Sequence, residues 1–341
     1  MPASAPDFGV VIPARTEHLH WVRGLCASVR HFMGDTPICV ILDGDRIPTD
    51  LQRLDGLVVV TRDEVEPKEL RHAGFRTPRA KNAALWASPY ETFLLLDADT
   101  IVWGDMRRLA DFDRFDFIVD SPGIEPLRSV MDVEQVATCF SDFEPRSHVG
   151  EYVNNGVYFG RRGALDLERY LHALRLARER PGMFFGSQGS FNYMVFSAAD
   201  EGTIRLQQRE LQVQTGRTDP ADVVRRFAFD GSEPLVSGDP VALHWVVSAK
   251  PRVRAGPHDY FEPMTHFRLE FRASTLGGSR SVRDSFRLRF EDMACADVRA
   301  NNVRGRLTRT RREWRKRFAQ VRVGVGRRAP AWLVAVLRGS D

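Results

Sequence analysis

The stretch ETFLLLDADTIVWGDM (residues 91–106) decides how the rest of the chain is read. Four apolar residues, Phe93 to Leu96, run straight into two carboxylates, Asp97 and Asp99. A short apolar run of this kind is a strand buried on both faces. A buried carboxylate is costly without a partner, so something must receive the pair. Residues i and i+2 of a strand point the same way, so both acids can face one crevice at its end. Two carboxylates that close repel unless a cation lies between them. Hard oxygen donors suit Mg2+ or Mn2+, which keep coordination positions for water and phosphate. The arrangement points to a metal bridging the protein to a diphosphate. The competing reading is an exposed turn carrying two solvated acids.

Working outward, similar strands precede and follow. FGVVIPA (8–14), PICVILDGD (37–45), GLVVVTRD (56–63) and FDFIVDSPG (115–123) are apolar runs ending in polar residues. Between them LHWVRGLCASVRHF (19–32) and RAKNAALWAS (79–88) carry helical spacing. Strand–helix alternation with doubly buried strands predicts an α/β fold with a mainly parallel central sheet. Ligands of such sheets bind beyond the carboxyl ends of the strands. Further on, EYVNNGVYFGRR (151–162) reads as a strand, GALDLERYLHALRLARER (163–180) as a helix, and PVALHWVVSAKP (240–251) as another strand. The last holds His244 and, six residues later, Lys250. Imidazole suits Mn2+ better than Mg2+, and a lysine can place a point charge on phosphate. A core histidine and a surface lysine are the plain alternatives.

With 341 residues the chain can bury a large core, and its net charge of +4 is modest. The expected division is a catalytic domain over 1–265 and a basic helical extension over 266–341. Neither GxGxxG nor a Walker loop occurs. Cys26, Cys39, Cys139 and Cys295 form no CxxC, which fits buried free thiols in a reducing compartment. The opening MPASAPDFGVVIPAR lacks a basic region before its apolar run, and no run reaches the roughly 20 residues of a membrane span. A cytoplasmic protein is expected.

Four motifs in order resemble the nucleotide-sugar glycosyltransferases of the GT-A fold, most of all glycosyltransferase family 8. They are Asp97-Ala98-Asp99, Val153-Asn154-Asn155-Gly156-Val157, Ser187-Gln188-Gly189-Ser190-Phe191-Asn192, and His244 through Lys250-Pro251. The resemblance covers roughly residues 8–255. It implies a single Rossmann-type GT-A domain and transfer of a sugar from a donor such as a UDP-sugar, with retention. Asp97, Asp99 and His244 would hold Mn2+, or Mg2+, and Ala98 would lie against the donor. Lys250 would bind the diphosphate, and Asn154 and Gln188 would carry the catalytic positions beside the sugar. Pro13, Ala14 and Arg15, with the Asp43-Gly44-Asp45 turn, would cradle the nucleoside. Arg79 and Lys81 would reach the phosphates or the sugar, and Asp120 its hydroxyls. Two acids that the family carries are Ser187 and Gly189 here, and Arg252 follows Pro251 where an aromatic is common.

A polar neighbour such as Gln188 can stabilise an oxocarbenium-like sugar without acting as a base. Glu144, Glu151 and Asp239 read as solvated loop acids rather than as a general base. The acceptor, whether carbohydrate, lipid-linked or protein, leaves no motif. Residues 304–328, RGRLTRTRREWRKRFAQVRVGVGRR, followed by APAWLVAVL, have the makings of a basic amphipathic segment. That composition suits an anionic membrane surface, hence peripheral attachment at the inner face, or a solvated helix. Nucleic acid is not the expected partner, for want of a recognition module. Two other functions share these features. A nucleotidyltransferase would want a glycine-rich loop after the first strand, where IPARTEHLH has none. A non-catalytic membrane-associated binding protein would keep the tail and not need the acids.

Overall fold

The alternation of the core strands sets the layers. Along β1 (Phe8–Arg15), Val10 and Ile12 bury on one face and Val11 on the other. In β4 (Thr92–Leu96), Leu94 and Leu96 share the first face, while Phe93 and Leu95 share the second. Both faces are covered, as the continuous apolar runs require. The computed structural model describes residues 7–44, 48–73, 75, 78–120, 126–148, 150–246, 261–276 and 287–292.

The central sheet has seven strands. Parallel pairing joins β3 (Leu57–Thr61) to β2 (Ile38–Asp43), β2 to β1, and β1 to β4. β7 (Asn154–Arg161) then runs antiparallel between β4 and β6 (Phe117–Asp120). β8 (Leu206–Arg209) closes the far edge, parallel to β6. The mainly parallel α/β sheet read from the sequence is present, with β7 as the reversed strand.

A second sheet of three strands holds β5 (Thr100–Trp103), β12 (Val241–His244) and β9 (Gln212–Gln214), with β12 in the middle. A short hairpin, β10 (Phe229–Asp230) and β11 (Glu233–Pro234), lies beside it in sequence.

Helix α1 (Leu19–Met33) packs on the β1 face with α8 (Glu262–Leu276) laid along it. Phe267 is the centre of that contact, with Phe32 and Trp103 edge-on at 5.9 and 6.4 Å. One compact unit spans Met1–Phe290, and α8 crosses the position where the basic extension was expected to begin. On the other face lie α5 (Leu167–Glu179) and α6 (Gly186–Asp200). Asp166 starts α5 by accepting from the Glu168 and Arg169 amides. The short helices α2 (Lys68–Ala73), α3 (Ala84–Ala87), α4 (Val133–Cys139) and α7 (Pro220–Arg226), with seven short 3-10 segments among the described residues, join these elements. Arg304 to Arg328 and the apolar stretch after it lie outside the described residues.

Candidate metal centre at the corner of two sheets

The chain leaves the large sheet at Leu96 and enters the small one at Thr100, so Asp97-Ala98-Asp99 is the corner between them. Backbone bonds pin this corner from three sides. Asp97 N donates to Gly156 O at 2.7 Å, Thr100 N to Asp97 O at 3.0 Å, and Trp245 N to Asp99 O at 3.1 Å. The Thr100 hydroxyl also donates to Asp97 O. His244 ends β12 in register with Thr100, which brings its ring to the same corner.

The His244 Nε2 atom stands 3.5 Å from Asp99 Oδ1 and 3.8 Å from Asp97 Oδ2. Those gaps are too long for hydrogen bonds. They are close to the roughly 3 Å between neighbouring donors around one octahedral cation with ~2.1 Å bonds. One donor atom from each of the three residues lies within 4.8 Å of the others. Two carboxylate oxygens and one imidazole nitrogen form a set that fits a divalent ion such as Mn2+.

The other ring nitrogen, His244 Nδ1, lies 2.5 Å from Gln212 Oε1. An amide oxygen only accepts, so Nδ1 donates to it and Nε2 is the nitrogen that faces the corner. Gln212 is fixed in turn by Asp120, whose Oδ2 accepts from Gln212 Nε2 at 2.8 Å. Asp120 Oδ1 accepts from the Leu211 and Gln212 amides at 2.9 and 3.2 Å. Asp120 is buried, and burial pushes its carboxyl above the usual range against those bonds. The β6–β7 register shifts between Val119 and Asp120. The expectation for Asp120 was sugar hydroxyls; its partners here are the groups that orient His244.

Gly156 makes the close approach possible. A Cβ there would lie 2.6 Å from His244 Cε1 and 2.9 Å from Asp97 Oδ2. Lys81 lies on the exposed side of the cluster, with Nζ 2.9 and 3.2 Å from the two Asp97 oxygens. Phosphates or the sugar were the sequence expectation for it; the structure sets its charge directly on the first acid of the corner.

Next to this corner is a shell of neutral amides. Gln188, on the first turn of α6, accepts the Asn155 amide on Oε1 at 2.8 Å and donates from Nε2 to the Tyr152 hydroxyl at 2.6 Å. Asn154 Oδ1 accepts from Gly156 N at 2.7 Å, and its Nδ2 is 3.4 Å from Tyr152 Oη. Asn192 clamps Val153 through both its amide N–H and its carbonyl at 2.9 Å each. Asn82 bridges Asn155 to the carbonyl of Ser187 and the hydroxyl of Ser190. Gln188 and Asn154 thus come together beside the Asp97–Asp99–His244 corner. Gly189, which stands where the resemblance expects an acid, has no room for one: a Cβ would be 2.3 Å from the Val130 carbonyl.

Of the other expected residues, Pro13 and Ala14 are buried at the end of β1, and Ala98 is buried within the corner. Arg15 is exposed, in register with Asp43 and 3.2 Å from Glu17. Asp43 Oδ1 is 4.0 Å from an Arg62 nitrogen. Lys250, Asp45 and the Arg79 side chain lie outside the described residues. Glu144, Glu151 and Asp239 are all exposed. Sequence reading missed Gln212 and Asn82. The polar–apolar alternation of Leu211-Gln212-Val213-Gln214 was the available signal for the first.

No family model matches the chain, and no curated protein does. Solved structures do share its fold. An active-site mutant of LgtC superposes with a TM-score of 0.50 at 13% identity, over 81% of this chain and 99% of that one. WbbM, a bifunctional glycosyltransferase in its apo form, superposes with a TM-score of 0.52 at 12% identity, over 81% of this chain and 53% of WbbM. The chain therefore has the GT-A fold, and within that fold it resembles glycosyltransferase family 8.

Proposed function

We propose that the chain is a metal-dependent glycosyltransferase that moves a sugar from a nucleotide-sugar donor, UDP-linked, to a carbohydrate, lipid-linked or protein acceptor, with retention of anomeric configuration. The convergence of Asp97, Asp99 and His244 at the corner of a GT-A fold carries this reading. These three residues would hold the ion, Mn2+ before Mg2+ because of the imidazole. When bound, the ion supplies positive charge for the diphosphate leaving group.

The chain's own residues do the remainder. Lys81, paired with Asp97, adds a fixed positive charge beside the diphosphate, as Lys250 would from the segment after β12. Pro13, Ala14, Arg15 and Asp43 would receive the nucleoside where β1 and β2 end. Gln188 is held by two hydrogen bonds, yet its carbonyl oxygen keeps a second lone pair for a sugar gaining positive charge. Asn154 lies next to it in the same role. The stretch from Arg304 to Arg328 would hold the protein at an anionic inner leaflet, where a lipid-linked acceptor is found.

Melting curves with Mn2+ and UDP, together and apart, test this reading. Stabilisation by UDP that needs Mn2+ and is lost in Asp97→Ala supports it. No shift with UDP or any other nucleoside diphosphate overturns it, and pyrophosphate release from a nucleoside triphosphate and a sugar phosphate would replace it with nucleotidyl transfer.

A further inference from the structure

Gln214 is 5% exposed, yet among the described residues neither atom of its side-chain amide has a hydrogen-bond partner. Leaving such a group unpaired is destabilising, so an apolar residue would serve the fold better. The position explains what the amide is for. Gln214 ends β9 in parallel register with His244. Paired residues of parallel strands share a face, and so do residues two apart. Gln212, two residues back, already touches the His244 ring. Gln214 therefore lies on the same face, at the carboxyl end of β9. The neighbouring Thr215 hydroxyl and Asn155 Oδ1 are also buried without partners.

The unpaired group selects its ligand by chemistry. An amide offers N–H donors and a carbonyl acceptor side by side. A phosphate only accepts and would leave the carbonyl unpaired. A sugar hydroxyl both donates and accepts, so adjacent hydroxyls satisfy both ends. Strand order agrees. β1 and β2, the proposed nucleoside side, lie on one side of β4; β7, β6 and β8, which leads through Glu210 and Leu211 into β9, lie on the other.

We propose that Gln214 is a specificity-determining residue of the saccharide subsite, pairing with hydroxyls of the transferred sugar or of a saccharide acceptor. This rests on the glycosyl-transfer reading above. The test uses the full chain with Gln214→Met, close in volume but without the amide, and Gln214→Leu as a second variant. UDP, a panel of UDP-hexoses and UDP-N-acetylhexosamines, and simple saccharide acceptors serve as probes, all with Mn2+. The unliganded variants should melt at or above the wild-type temperature, and their response to UDP should be unchanged. Their kcat/KM for transfer should fall about tenfold, the worth of one to two hydrogen bonds. If the extra affinity of a UDP-sugar over UDP disappears, the hydroxyls belong to the transferred sugar. If only the acceptor KM rises, they belong to the acceptor. A lower melting point with unchanged kcat/KM, a lost UDP response, or variants equal to wild type throughout would each overturn the proposal. A wild-type chain that ignores UDP and Mn2+ sinks the glycosyl-transfer reading itself, and this inference with it.

Discussion

His244 has one nitrogen for the cleft and one for the protein, and Gln212 decides which. Replacing Gln212 with leucine leaves Nδ1 without its acceptor and lets the ring change tautomer. Mn2+ affinity should fall about 10- to 100-fold, and the metal-free protein should also melt lower, because Asp120 Oδ2 and His244 Nδ1 both lose their buried partner. Calorimetric titration of Mn2+ into Gln212→Leu measures it. His148, unlike His244, has both nitrogens hydrogen-bonded, Nδ1 to Glu151 at 2.9 Å and Nε2 to Asp200 at 2.9 Å. Burial works against its charge, but the Asp200 and Glu151 bonds outweigh that and hold its pKa above the ordinary value. A raised folded pKa stabilises fully below the unfolded value, about 6.5, and the gain is lost as pH rises through the folded one. The melting-point gap between wild type and His148→Gln should be widest near pH 6 and close toward alkaline pH. Asp97, Asp99 and His244 were legible because an apolar strand ending in paired acids, and an imidazole at a strand end, are unusual combinations. Gln212 was not, because nothing in a glutamine's type distinguishes a ring-orienting amide from a solvated one.

At the scale of elements, α8 is part of the packing of the main compact unit. Phe267 is fully buried between α1 and the small sheet. Phe267→Ala should cost about 3–5 kcal/mol in chemical denaturation, while the protein that remains folded still responds to UDP and Mn2+. The core strands were readable because each is apolar on both faces. The direction of β7 was not, since reversing a doubly buried strand leaves its composition unchanged. β5 and β9 are short, and they pair across the corner rather than with chain neighbours, so periodicity carried little of them. α6 is buried nearly all round, which erases the one-sided stripe by which a helix is recognised.

For the molecule as a whole, the cluster exists because one strand from each sheet ends at the same corner. The surface charge is a separate matter. The net +4 leaves the basic stretch from Arg304 to Arg328 as the main concentration of cations in the sequence. A chain ending at residue 292 should keep its UDP and Mn2+ response but lose co-sedimentation with phosphatidylserine vesicles, and salt should weaken binding of the full chain. Equal sedimentation of both chains would count against a membrane role for that stretch.

The Asn155–Gly156 step also sets how the protein ages. An asparagine before glycine readily closes to a succinimide when the glycine nitrogen can swing onto the side-chain carbonyl. Here that nitrogen is tied to Asn154 Oδ1 at 2.7 Å within β7. The folded chain is thereby shielded from deamidation at this step, whereas an unfolded one is not. A molecule damaged while unfolded would bring back an isoaspartyl kink beside the close approach of Gly156 to His244, or a new negative charge buried against Asn82, so its thermal history would be written into the one place least able to absorb it.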